Sequence, residues 1–567
     1  MASLSSLLKL SLFFFFLFLL STPISSTKTK TQTKTNTNNK TTTNTLHNPT
    51  FHSLCQSTPY PSACLSSMDL SIPLDLPANI LSLVLKSLIS AISSTTPLSH
   101  VLAAALHSPY LVETQRSSVQ DCVDLHAATL SSLTRTSSFI KSGSPDKFLP
   151  DIRTHLSAAL TNKVTCLEGL AGATGPMKNS LFSSLMSAYQ PVSNALSLVP
   201  KGPAVGKTKK QGRRLSVSDF PAWVPRRDRR LLQSNDDDDN NGDDNGDGDN
   251  GYDPSPIITV AKDGTGNFTT ISDAIAFAPN YSNDRVIIAV RAGEYNENVV
   301  IDSYKTNIVL IGDGKDVTVI TGSRSVGDGW TTFRSATVAV SGEGFLARDI
   351  TFKNTAGPAK GQAVALRVNA DLVALYRCTI DGYQDTLYVH SFRQFYRECD
   401  ILGTVDFIFG NAAVVIQACN IIAKAPIPGQ SNVITAQSRD DPNEETGISI
   451  QNCSIVASAD LASSSVRTKT YLGRPWRNYS TTVYIESFID GLVDPAGWTQ
   501  WNGAQGLDTL YYGEYMNAGP GSNTNARVTW PGYHIMEYDD ASYFSASNFI
   551  YGDQWLGSTS IPYDNQI

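Results

Sequence analysis

The feature that most restricts the fold of this chain is a short motif that returns four times in its second half. Tyr376-Arg-Cys-Thr-Ile380, Arg397-Glu-Cys-Asp-Ile401, Gln417-Ala-Cys-Asn-Ile421 and Gln451-Asn-Cys-Ser-Ile455 share one pattern, with cysteines at 378, 399, 419 and 453. The first two intervals, 21 and 20 residues, suit one turn of a parallel β-helix, whose coils stack through strand hydrogen bonds. From Ile257 onward short β-rich runs, such as Val286 to Val290, Asn307 to Ile311, Val364 to Val368 and Ala413 to Ile416, alternate with Gly, Asn and Asp. Equivalent residues on adjacent coils lie about 5 Å apart. Neighbouring cysteines of the column are therefore near enough to bridge, although three in line cannot all pair.

The same repeat aligns two carboxylates, because Asp385 and Asp406 each lie seven residues after a cysteine of the column. Stacked acids repel when both are ionised, which leaves one protonated and the other a carboxylate near neutral pH. A lone aspartate at a coil corner would merely cap a turn; the pair points to an acid and a nucleophile. Gln384 precedes Asp385, and Gln362 lies 22 residues before Gln384, about one coil upstream. Amides so placed stabilise an oxyanion, or simply satisfy one another in a column. Gly403 and Gly410 bracket Asp406 and keep Cβ atoms away from a groove. Tyr383, Tyr388, Phe407 and Trp476 supply flat rings that suit either sugar faces or a core.

The first half reads differently. Lys9, the apolar run Leu10 to Leu20 and the small residues Ser21 to Ser26 predict a cleaved secretory signal over 1–26, too short for a membrane span, and no later apolar stretch reaches that length. Residues 27–46 are a polar spacer, and 47–200 carry apolar residues at helical spacing, as in Ile80, Leu83, Leu85 and Leu88, which predicts a helix bundle. Further helices are expected near Asp121 to Ile140, Pro150 to Leu170 and Asn179 to Leu198. Cys55, Cys64, Cys122 and Cys166 form an even set of the kind that makes disulfides in an exported domain, with connectivity open. His47, His52 and His126 lie near them without a zinc pattern. Residues 201–254 are a linker whose basic part contains Arg229-Arg230-Leu231-Leu232, an exposed basic pair that invites proteolysis. Its Asp, Asn and Gly tract lacks the spacing and closing Glu of a calcium loop. The net charge of −7 conceals this local asymmetry and says little about partners. Sequons at Asn267, Asn280, Asn452 and Asn478 are compatible with export as a glycoprotein.

Four motifs in register, Gly361-Gln-Ala-Val-Ala-Leu-Arg367, Gly382-Tyr-Gln-Asp-Thr-Leu-Tyr388, Gly403-Thr-Val-Asp-Phe-Ile-Phe-Gly410 and Leu472-Gly-Arg-Pro-Trp476, strongly resemble the pectin methylesterases of plant cell walls over 255–567. The first half is similar to the inhibitor-like domain that precedes the catalytic domain in many such precursors, including its four cysteines and the Arg-Arg-Leu-Leu junction. The resemblance implies an all-β right-handed parallel β-helix behind an all-α four-helix bundle, hydrolysis of the C6 methyl esters of galacturonate in pectin, and no metal or other cofactor. It implies Asp406 as nucleophile, Asp385 as proton donor, Gln384 and Gln362 as oxyanion donors, and Thr332, Gln362, Arg474 and Trp476 as substrate contacts. It also favours a Cys399–Cys419 disulfide and leaves Cys378 and Cys453 open. Cys453 and the acidic insert at 236–250 depart from the commonest pattern, and the insert leaves the mature amino terminus in doubt. The implied partners are pectin, the chain's own bundle, separate inhibitor proteins and a processing protease, with no nucleic acid and no membrane, for a monomer in the cell wall.

Three other readings compete. β-Helices also host polysaccharide depolymerases, which methanol release without chain shortening distinguishes. A Ser-His-Asp esterase is disfavoured, since Gly-x-Ser-x-Gly is absent and only His390 and His534 follow the linker. An inhibitor or binding protein with an inert β-helix is at odds with the intact motifs.

Overall fold

From Ile258 to Ile535 the chain winds through three parallel sheets of eleven, eight and seven strands, in which neighbouring strands come from successive coils. The structure is a computed structural model that describes residues 49–567 apart from 69–79, 108–112, 143, 172–175, 201–214, 217–256 and 466. The expected signal and spacer, and the Arg229–Leu232 junction with its acidic insert, lie outside the described residues.

The repeat forms one corner of each coil. Tyr376 pairs with Arg397 and Arg397 with Gln417, while beyond the corner Thr379 pairs with Asp400 and Asp400 with Asn420. One left-handed residue makes each bend: Arg377, Glu398, Ala418 and Asn452 have φ of 51°, 52°, 53° and 50°. Inside, Leu375, Tyr396, Ile416 and Ile450 stack with Ile380, Ile401, Ile421 and Ile455 in one fully buried core. The step from Cys419 to Cys453 is longer because the loops after Ala423 and Gln437 are extended, while strand register is kept. All four sequon asparagines are exposed.

The cysteine column corrects one expectation. Cys399 and Cys419 are not bridged; together with Cys378 and Cys453 they are free and buried. Each thiol instead accepts the backbone N–H of the cysteine one coil earlier, Cys378 N to Cys399 Sγ at 3.4 Å and Cys399 N to Cys419 Sγ at 3.2 Å. Stacked thiols thus replace the polar groups that would otherwise have to satisfy those corner amides.

The amino-terminal part is helical: α1 (Pro49–Gln56), α2 (Pro61–Met68), α3 (Ile80–Leu106), α4 (Glu113–Lys141), α5 (Leu149–Gly169), α6 (Pro176–Ala188) and α7 (Gln190–Leu198). The single helix expected over Asn179 to Leu198 is broken at Tyr189, two residues before Pro191, which cannot continue a helical hydrogen-bond ladder. Helices α3, α4, α5 and α7 pack as the bundle, tied by Cys55–Cys64 and Cys122–Cys166 with Cα separations of 5.4 and 4.7 Å. Helix α3 is long and apolar enough to cross a membrane by length and composition, contrary to the sequence expectation. Its buried Leu83, Val84, Leu85, Leu88 and Leu102 sit in the bundle core, which accounts for that composition.

Candidate active site

The seven-stranded sheet carries the site on its outer face. Its strands Leu366–Val368, Leu387–Val389 and Ile408–Gly410 turn Leu366, Leu387 and Ile408 into the core, so the alternate residues Arg367, Tyr388 and Phe409 face outward. Leu387 pairs with Ile408, and Asp385 and Asp406 each stand two residues before that pair, stacked on adjacent coils. Both aspartates take left-handed backbone, φ 62° and 52°, a conformation that a short polar side chain tolerates better than most. Gly403 makes room for the second turn, because a Cβ there would meet Phe407 Cβ at 2.2 Å and Thr386 Oγ1 at 2.7 Å.

Arg474 distinguishes the two acids. It reaches back from the end of the Thr470–Gly473 strand and grips Asp406 with a fork, Nε to Oδ1 at 2.8 Å and Nη2 to Oδ2 at 2.6 Å. Asp385 has no ion pair among the described residues. Burial pushes both carboxyls upward; the neighbouring Asp406 charge drives Asp385 well above the usual carboxylate range, whereas the Arg474 fork opposes the rise at Asp406 alone. The pair is thus arranged to hold one proton, on Asp385.

Gln384 and Gln362 are half-buried on adjacent coils, joined by the bond from Ala363 N to Gln384 O at 3.1 Å, and neither side-chain amide is bonded to a described residue. Of the two uses left open for them, the mutually satisfied column is absent, and both amides remain available as donors. Trp476 packs against Phe409 with centroids 6.0 Å apart. Thr332 is half-buried on a short turn and accepts through its carbonyl from Ser335. Tyr383 lies under Lys424 Nζ at 3.8 Å, and Phe407 is core.

Sequence reasoning missed two contributors. Trp501 stacks on Trp476 at 6.1 Å and lies under the Arg474 guanidinium at 4.3 Å, fixing both from a loop with no repeat to betray it. The second is the bundle. Helices α4 and α5 lie across this face: Asp121 and Asp124 pair with Arg334, Asp151 with Arg393 and Glu168 with Arg477, while Arg135 and Arg153 pair with Glu343 and Glu445. Thr165 Oγ1 meets His390 Nε2 at 2.9 Å, and Asn411 Nδ2 donates to Thr161 Oγ1 at 2.8 Å. Tyr388, Phe409, Trp476 and Trp501 belong to the same apolar cluster as the bundle core.

Comparison with known proteins agrees with this geometry. The pectinesterase family profile matches residues 257–553, and that of the plant invertase/pectin methylesterase inhibitors matches 49–198. A probable pectinesterase/pectinesterase inhibitor 12 of Arabidopsis thaliana is 60% identical over 92% of this chain and 94% of its own length. Pectinesterase 2 of Citrus sinensis is 48% identical over 80% of this chain and 83% of its own. Among solved structures, the pectin methylesterase from carrot superposes with a TM-score of 0.54 at 53% identity, covering 56% of this chain and all of that one. The chain belongs to the pectinesterase family, as a carboxylic ester hydrolase domain of the pectin methylesterase type preceded by an inhibitor-like domain.

Proposed function

We propose that Asp406 and Asp385 carry the hydrolysis of galacturonate methyl esters in pectin, and that the bundle restrains the enzyme until the linker is cut near Leu232. The observation that carries the reading is the asymmetry of the buried pair, with Arg474 on Asp406 and no cation on Asp385. The Asp406 carboxylate attacks the C6 carbonyl, and the amides of Gln384 and Gln362 stabilise the oxyanion that forms. As the bond from C6 to the methoxy oxygen breaks, Asp385 gives its proton to the departing oxygen, and methanol leaves. Asp385, now a carboxylate, takes a proton from water. The hydroxide attacks the acyl-enzyme, Asp406 departs as a carboxylate, and the galacturonic acid loses its proton to solvent. Trp476 packs on the sugar, and Thr332 touches it at the groove rim.

Restraint is supported by where the bundle sits: pectin cannot reach Trp476 or Tyr388 while α4 and α5 cover them. Export to the cell wall, expected from residues 1–26, is the setting in which such a precursor would be cut. The test is methanol release from highly methylated pectin by the full chain, uncut and cut at its linker, with polymer length recorded. Asp406→Asn and Asp385→Asn should each lower the rate of the cut protein at least about 1000-fold. Chain shortening, or activity surviving Asp406→Asn, overturns the chemistry; equal activity before and after cutting overturns the restraint.

A further inference from the structure

The bundle's Asp121 occupies a place built for a carboxylate. Its side chain, 3% exposed, lies with Oδ1 2.6 Å from Arg334 Nε, and its Oδ2 accepts from Thr331 Oγ1 at 2.6 Å. Beside it stands Arg367, almost wholly buried on the outer face of the sheet, with its guanidinium 3.5 Å over the Phe333 ring. Arg367 bonds Asn369, has no ion pair among the described residues, and its Nε has no hydrogen-bond partner. Arg334 pairs only with Asp121 and Asp124, both on the bundle, among the described residues. Once the bundle leaves, two guanidinium groups and a hydroxyl surround an aromatic ring with no carboxylate of the β-helix to answer them. The turn holding them leads into strand Val338–Val340, two coils from the Leu387–Val389 strand that follows Asp385, a distance of about 10 Å along the stack.

We infer that Thr331, Phe333, Arg334 and Arg367 form a subsite for the free carboxylate of a galacturonate unit, which Asp121 fills in the intact chain. The inference rests on the pectin esterase reading and adds to it a preference. A methyl ester carries no charge and cannot satisfy two guanidinium groups. The freed enzyme therefore favours esters that have an acid a few units away on the same polymer. Beyond the catalytic pair in the other direction, Glu168 holds Arg477, next to Trp476, in the same manner.

The experiment uses the full chain cut at its linker and reads the ratio of kcat/KM on partly de-esterified pectin to kcat/KM on fully methylated pectin. Any fraction still covered by the bundle cancels in that ratio. Arg334→Gln, and separately Thr331→Val, should lower it about threefold to tenfold with little change in melting temperature. A second measurement needs no turnover: polygalacturonate, which has no ester, should displace the bundle from the cut chain on size-exclusion chromatography at concentrations where fully methylated pectin does not. A ratio within about twofold of wild type in both folded variants, or equal displacement by the two polymers, overturns the subsite. Absence of methanol from wild type on either pectin would instead sink the esterase reading, and the displacement result would still decide the subsite.

Discussion

Replacing Arg474 by Gln tests whether the fork on Asp406 sets the protonation of the catalytic pair. Its two bonds, 2.8 and 2.6 Å, bring the charge centres to about 4 Å, where an effective dielectric near 20 gives about 4 kcal/mol, or about 3 pKa units. The arginine side chain is 26% exposed, so solvent screening reduces the expected shift to about 1–2 units. The sign follows from which form the arginine prefers. It favours the Asp406 carboxylate, so its loss raises the proton affinity of Asp406, and the acid limb of the pH–rate profile should move up by about 1–2 units. Below that limb the rate falls about tenfold per unit. Arg474→Lys keeps the charge and loses the fork, and should return the limb most of the way while the plateau stays low. The assay is methanol release by the cut chain from about pH 4 to about pH 9 at saturating pectin. An acid limb unmoved in Arg474→Gln, with the plateau alone depressed, would refute the electrostatic role and leave Arg474 as a substrate contact.

Two further predictions concern stability and covalent state. Glu444 is fully buried, accepts from the Asp440 and Asp441 N–H groups at 3.3 Å, and is pushed up to about 8, first by burial and then by the Asp441 charge. Because its folded value exceeds the unfolded one, its contribution is intact below about pH 4.3 and is lost as pH rises to about 8, in all about 4–5 kcal/mol. Glu444→Gln should therefore flatten the fall in melting temperature between about pH 5 and about pH 8; an unchanged slope counts against a neutral buried Glu444. Alkylation of the full chain, denatured without reductant, should label four cysteines, 378, 399, 419 and 453, whereas two labels would restore a bridge in the column.

What the sequence revealed and what it hid divide along a physical line. Coil register was legible because one corner geometry recurs: a left-handed residue precedes each cysteine, and an aliphatic residue follows two positions later, so spacing alone aligned Asp385 with Asp406. The strand run Val286–Val290 has the predicted bounds, since alternation there meets a half-buried face. The break between α6 and α7 was equally written in Pro191 but was lost in a continuous apolar periodicity. Thiol state was not legible, because stacked cysteines within bridging distance satisfy the same spacing whether they share a bond or accept neighbouring amides. Least visible was the interface. Asp121 in α4 and Glu168 in α5 look like ordinary polar positions on helices, and Arg334 and Arg477 like ordinary loop cations. Their meaning arises only when the chain folds back over 200 residues to lay those acids on the groove. An acid at such a helix position costs the bundle's own fold little, so no local pattern betrays it. Its partner is chosen by the surface it covers, and that surface was shaped for the charge on a polymer.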